Sequence, residues 1–229
     1  MIDIKKSRFR DASWFEKVND FAIPIVIGGI GGIGSWLSMF LSRILSDNTY
    51  LILYDFDKVE EVNIAGQLYR QKDIGKLKIA AMREIVKDFS GFENIIAQPE
   101  KYDSESIKSP VMFSAFDNMK ARKDMFNNWL SESEKYKDDS ISIFIDGRLL
   151  AEQFQVYYVT PKTADSYRKY ALFDDSEVED INCSYKQTTH FAAMIAGKMV
   201  QGFTNWLAGD ELPFRYEEIG NLFLSESKP

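Results

Sequence analysis

Cysteine and histidine are nearly absent from these 229 residues: each occurs once, as Cys183 and His190. A lone thiol excludes an intrachain disulfide. One cysteine and one histidine cannot build the four-ligand shell of a structural zinc site, so no zinc is expected. No apolar run reaches the roughly 20 residues that a membrane-spanning helix needs, so no membrane association is expected. Charges at Asp3 and Lys5 come too early for a signal peptide, which makes the cytoplasm the expected compartment. Positive charge is in deficit, with 28 Lys and Arg against 35 Asp and Glu and a formal net charge of −7. Such a balance argues against a general nucleic-acid-binding surface. Repeats and low-complexity tracts are missing. The length suits a single domain, 1–229, with a substantial core.

What is present is an alternation of short apolar runs and amphipathic stretches. Residues 11–20 read as a helix, 24–27 as a strand, 34–46 as a helix and 50–54 as a strand. A helix over 75–89 carries Ile79, Met82, Ile85, Val86 and Phe89 at helical spacing. Strands are expected at 95–98 and 111–116, and a helix at 119–130. A polar loop is expected over 131–140, then strands at 141–145 and 152–160. Residues 190–207 form an apolar helix rich in small residues. A final sheet segment spans 211–216, with Leu222-Phe223-Leu224 packed on it and 225–229 frayed. Strands alternating with helices imply a Rossmann-like α/β fold, a mostly parallel central sheet with helices on both faces.

The first strand runs into Gly28-Gly29-Ile30-Gly31-Gly32-Ile33-Gly34-Ser35. Gly29, Gly31 and Gly34 fit G-x-G-x-x-G between a strand and a helix. The first glycine permits a tight turn, the second lets backbone approach phosphate, and the third lets the helix pack on the strand. N–H groups at the helix start, Gly32 included, then face an anion. Asp55 ends the next strand, where an acidic side chain meets ribose hydroxyls. Gly29, Asp55 and Asp117 all fall at C-terminal strand ends, which points to one shared nucleotide site.

A longer series extends from these glycines: Asp55-Phe56-Asp57, then Asn63 and Gln67, then Asp73-Ile74-Gly75-Lys76-Leu77-Lys78. Ser114-Ala115-Phe116-Asp117-Asn118-Met119-Lys120-Ala121-Arg122 completes it. The series resembles the ThiF/MoeB/HesA superfamily, adenylating enzymes related to ubiquitin-activating enzymes. The resemblance covers most of residues 8–208. It implies ATP-dependent adenylation of a carboxylate, usually the C-terminus of a small ubiquitin-like or sulfur-carrier protein. It implies ATP and magnesium as cofactors, with Asp117 as the magnesium aspartate and Lys78 as the phosphate-contacting lysine. Asp57, Asn63, Gln67 and Asn118 then belong to the nucleotide side of the site. It also implies an antiparallel C-terminal extension of the sheet that cradles the substrate tail. Asp146 and Arg148 either orient that tail or form a turn pair bonded to each other. Residues 161–182 are expected to cross over the site as a loop.

Two departures carry chemical weight. Gly66 stands where the family has an arginine before the glutamine, and Arg70, a helical turn beyond, is a candidate substitute. Within the N-terminal segment, 1–22, Ser7-Arg8-Phe9-Arg10-Asp11 loosely resembles a family segment donated across a homodimer, so Arg10 or Arg8 is a second candidate. Cys183 lies where ubiquitin-activating relatives place the cysteine that takes the acyl group as a thioester. The alternative for it is packing. His190 is a catalytic partner for it, or a capping or packing residue. Besides the adenylating enzyme, the sequence leaves open a catalytically weak ATP-binding scaffold subunit, an enzyme adenylating a tRNA nucleoside, and a Rossmann oxidoreductase.

Overall fold

The computed structural model describes residues 8–9, 11–20, 22–136, 139–150, 153–173, 189–219 and 223–228. Arg10 and Cys183 lie outside the described residues. Strands β1 (Ile25–Gly28), β2 (Leu51–Tyr54) and β4 (Val111–Ser114) are buried along their whole length. They are continuous apolar runs because both faces of the sheet are covered. Ile27, Leu53 and Phe113 point to one face, Val26, Ile52 and Met112 to the other. The first face packs on helices α2 (Gly32–Ile44), α3 (Lys78–Ser90) and α6 (Thr189–Ala208), through Leu37, Met82 and Phe203 among others. The second packs on α4 (Met119–Ser133) and α5 (Ala164–Tyr170), through Phe126, Trp129 and Tyr167. A short helix, α1 (Phe15–Asp20), precedes β1. Among the described residues no helix is long and apolar enough to cross a membrane.

The described strands form an eight-stranded sheet of order β3-β2-β1-β4-β5-β6-β7-β8, with β3 at Ile95–Gln98. The order β3-β2-β1-β4-β5 is parallel throughout. From β5 (Ile143–Leu150) through β6 (Gln153–Val159) and β7 (Arg215–Ile219) to β8 (Leu224–Lys228) the pairing is antiparallel. The chain leaves β1 toward β2 on one side and reaches β4 on the other. That makes the C-terminal ends of β1 and β4 the topological switch point, where open α/β sheets bind ligands. Gly28 is in register with both Tyr54 and Ser114, so the three strand ends are level.

Four expectations need correction. Residues 225–228 are not frayed: they lie in β8, paired Arg215 to Lys228 and Ile219 to Leu224. Its sequence, Leu-Ser-Glu-Ser-Lys, is exposed throughout, the polar character of a protected edge strand. Residues 164–170, expected within a crossing loop, form α5, anchored by the buried Tyr167. Helix α4 continues to Ser133, three residues into the expected loop. Asp146-Gly147-Arg148 lies inside β5, not in a turn, although Asp146 and Arg148 are bonded to each other at 2.6 Å.

Candidate functional site

The loop between β1 and α2 turns at Gly29, whose φ of +81° is a left-handed conformation suited to glycine. Its N–H donates to the Tyr54 carbonyl at 2.9 Å, tying the turn to β2. A Cβ on Gly34 would sit 1.8 Å from the Gly29 oxygen, so only glycine lets α2 come this close to the turn. Helix α2 starts after Gly31 with no side-chain cap and no acidic residue in its first turn. Its first N–H groups therefore lack a side-chain acceptor and carry the positive end of the helix dipole.

Asp55 follows β2 and is 9% exposed. Its Oδ2 accepts the Ile30 N–H at 2.7 Å, and its Oδ1 accepts the Asp57 N–H at 2.9 Å. The carboxylate thus holds the glycine turn to the end of β2. Burial pushes its carboxyl above the usual range, opposed by Lys78 and the two backbone donors. Asp57 points outward and pairs with Lys78, Nζ to Oδ2 at 2.9 Å. Lys78 begins α3 and is buried, and its N–H donates to the Asp57 carbonyl at 2.9 Å. Asp55, Asp57 and Lys78 are therefore one cluster beside the glycine turn.

Residues 60–76 are stitched onto the same place. Asn63 Oδ1 accepts the Glu60 N–H at 2.8 Å, closing a short turn. The Gly66 and Gln67 N–H groups both donate to the Asn63 carbonyl. The Leu68 N–H donates to Ser35 Oγ at 3.1 Å, and the Tyr69 hydroxyl donates to the Ile30 carbonyl. Gln67 Nε2 faces Gly31, 3.9 Å from where a Cβ would stand. Among the described residues Gln67 Oε1 is buried without a hydrogen-bond partner. Arg70 is differently engaged from the sequence expectation. Its guanidinium pairs with Asp73 at 2.7 Å, Asp88 at 2.7 Å and Glu84 at 3.2 Å.

On the far side of the switch point, the Ala115 N–H donates to the Gly28 carbonyl at 2.8 Å. Asp117 and Asn118 follow, both exposed. The cap of α4 is Asn118, whose Oδ1 accepts the Ala121 N–H at 2.9 Å, which leaves the Asp117 carboxylate out of the capping interaction. The Asp117 carboxylate accepts from Asn118 Nδ2 at 3.3 Å. Magnesium favours one or two protein carboxylates plus phosphate oxygens over an all-protein cage. An exposed Asp117 fits that donor set. Among the described residues no group of three or more His, Cys, Asp or Glu is placed so that it could hold a metal ion by itself.

Sequence reasoning gave Arg122 no task and left Asp146 and Arg148 open. The structure buries all three with Tyr167. Arg122 donates to Asp146 Oδ1 and to the Phe116 carbonyl. Arg148 Nε donates to Asp146 Oδ2 at 2.6 Å, and the Tyr167 hydroxyl donates to the same oxygen at 2.8 Å. Burial alone would raise the Asp146 carboxyl, but the two guanidinium groups outweigh it and hold it below the usual range. The sequence signal was confined to Asp146 and Arg148, which directly follow the expected strand 141–145, whereas Arg122 sits inside a helix. Arg8 is exposed, as is His190 in the first turn of α6.

The ThiF family model matches residues 11–223. Ubiquitin-like modifier-activating enzyme 5 of Caenorhabditis briggsae is 26% identical over 124 residues, 47% of this chain and 28% of that protein. The enzyme of the same name from Oryza sativa subsp. japonica is 28% identical over 126 residues, 47% of this chain and 29% of that protein. The chain thus spans less than a third of the length of these relatives. Among solved structures, Escherichia coli MccB with ATP superposes with a TM-score of 0.71 at 14% identity, covering 99% of this chain and 71% of MccB. PaaA superposes with a TM-score of 0.72 at 17% identity, covering 100% of this chain and 74% of PaaA. At such identities the structural likeness speaks for the fold. The family match, running from α1 to the start of β8 across every element of the crevice, shows that this chain belongs to the ThiF family.

Proposed function

We propose that this chain adenylates a carboxylate with ATP. The carrying observation is the convergence, at the switch point, of an uncapped helix start, a buried lysine and a buried aspartate. The start of α2, with Gly29, Gly31, Gly32 and Gly34, takes the phosphates. Asp55 offers its remaining lone pairs to the ribose, and Asn63, Gln67 and Asn118 line the nucleotide side. Asp57 holds Lys78 where its charge meets phosphate oxygens. Asp117 would hold magnesium, which supplies charge neutralisation at the phosphates. In the reaction a substrate carboxylate oxygen bonds to the α-phosphorus. The bond to the bridging oxygen breaks, and pyrophosphate leaves with the electron pair.

The substrate class is the C-terminal tail of a small ubiquitin-like or sulfur-carrier protein. Support comes from family membership and from the relatives named as ubiquitin-like modifier-activating enzymes. An extended tail suits an antiparallel half-sheet such as β5–β8, which recognises main chain by strand addition. Cys183 is the candidate acceptor for a subsequent thioester. A cytoplasmic homodimer, with Arg10 or Arg8 donated across it, would supply the cation that Gly66 does not.

One observation favours a second reading, a catalytically weak ATP-binding scaffold subunit. Gly66 removes the family arginine, and Arg70 is committed to three carboxylates. Adenylation of a tRNA nucleoside is disfavoured by the net charge of −7. Labelled pyrophosphate exchange into ATP separates the first two readings. An enzyme exchanges in the presence of its carboxylate substrate, and a scaffold binds Mg·ATP without exchanging.

A further inference from the structure

The loop carrying Asp117 hangs between two anchors. On one side the Ala115 N–H donates to Gly28 at 2.8 Å, and the Phe116 ring fills the space where a Gly28 Cβ would stand, 2.2 Å from its nearest atom. On the other side the Phe116 carbonyl, adjacent to Asp117, accepts from Arg122. The same guanidinium reaches the Gly147 carbonyl at 3.2–3.3 Å and Asp146 Oδ1. Asp146 Oδ2 is held by Arg148, whose Nη1 donates to the Ala171 carbonyl at 2.8 Å. A core built for stability alone would use apolar residues here, because burying three charges has a large desolvation penalty. A planar guanidinium bridging two carbonyls and a carboxylate instead fixes one backbone geometry.

We propose that Arg122 is a positioning residue for Asp117, acting through the Phe116 carbonyl, with Asp146 as its anchor. This rests on the reading of Asp117 as the magnesium carboxylate. Asp117 is exposed, so its place is set by the backbone before it rather than by packing around its side chain. Arg122 fixes that backbone from below. Arg148 braces the other oxygen of Asp146 and does not touch the Asp117 loop.

The test is ATP affinity by titration calorimetry, with Mg²⁺ and with EDTA. Wild type should bind ATP more tightly with Mg²⁺. Arg122→Lys keeps the charge opposite Asp146 but cannot bridge all three partners. It should keep its EDTA affinity within about twofold and lose about tenfold of the magnesium-dependent gain, the scale of a support lost behind a metal ligand. Arg148→Lys, in the same buried cluster, should keep the gain. In an Asp117→Ala background, Arg122→Lys should change nothing further. If Arg122→Lys does not fold, Arg122→Gln, whose amide reaches one partner, is read in the same way. A full magnesium gain in folded Arg122→Lys, or an equal loss in Arg148→Lys, overturns the proposal while leaving the nucleotide reading standing. No magnesium gain in wild type overturns both.

Discussion

Lys78 and Asp57 are joined twice, by Nζ to Oδ2 at 2.9 Å and by the lysine N–H to the aspartate carbonyl at 2.9 Å. The lysine side chain is 9% exposed and the aspartate 49%. The pair therefore holds a buried cation at the crevice while leaving its partner wet. Because Asp57 is half solvated, the ion pair itself contributes about 1 kcal/mol or less to stability. Lys78→Ala should unfold within a few degrees of wild type and lose pyrophosphate exchange about 100-fold or more. Near-normal exchange in a folded Lys78→Ala would remove the lysine from the mechanism.

Gly34→Ala tests the glycine turn. A Cβ at 1.8 Å from the Gly29 oxygen forces α2 away from the loop. The expected destabilisation is about 1–3 kcal/mol, with ATP binding weakened beyond what the stability loss explains. Denaturant titration and calorimetry together check this, and unchanged ATP affinity would mean that the turn does not cradle phosphate.

Asp55 gives a pH signature. Burial raises its folded value above the ordinary 3.8, so folding favours the protonated form. Its contribution is fully present below the ordinary carboxylate range and is lost as pH rises through the higher folded value. Asp55→Asn should flatten that part of the stability profile just above the ordinary range. It should also lower overall stability by about 1–3 kcal/mol, since one of the Ile30 and Asp57 N–H groups loses its acceptor. Thermal unfolding between pH 4 and 7, at about that range of a carboxylate titration, reads both effects. An unchanged slope would contradict the assignment.

Arg70 is expected to be structural. Burial would raise the Asp73 carboxyl, but hydrogen bonds from Arg70 and Lys76 outweigh it and hold it low. That contribution is present above the ordinary carboxylate range and is lost as pH falls through the lower folded value. Arg70→Ala should therefore cost about 1–3 kcal/mol near neutrality and weaken the acid limb of the stability profile. ATP affinity should stay within about twofold. A large loss of ATP affinity would make Arg70 the missing triphosphate cation after all.

As the proposed thioester acceptor, Cys183 would divide the chemistry downstream. Cys183→Ala should still exchange pyrophosphate and should fail to form a thiol-labile adduct with the substrate protein. Mass spectrometry of wild type during turnover checks it. Active turnover with no adduct would leave an adenylation-only enzyme.

The parallel half of the fold was legible because its strands are buried on both sides and read as uninterrupted apolar runs, such as Ile25-Val26-Ile27. The glycine spacing and Asp55 were legible because a turn of that shape admits few other residues. Strand β8 was not, since an edge strand needs no apolar face and Leu-Ser-Glu-Ser-Lys reads like a loose terminus. Helix α5 was hidden because its burial depends chiefly on Ala164 and Tyr167 within a polar stretch. Arg122 had no task beyond closing the family-like series, and Asp146 and Arg148 read as a tail-orienting or turn pair. Their partnership spans 24 residues between Arg122 and Asp146 and exists only once α4 lies on β5. The commitment of Arg70 was equally invisible, because Glu84 and Asp88 reach it only when α3 folds back.

The most direct measurement is exchange of labelled pyrophosphate into ATP, with the small-protein fraction of the source cells supplying carboxylate. Wild type should exchange, Lys78→Ala and Asp117→Ala should not, and carboxypeptidase treatment of the fraction should abolish the activity. Wild-type protein that binds Mg·ATP in the same buffer yet exchanges no pyrophosphate would contradict the adenylating role and leave the scaffold.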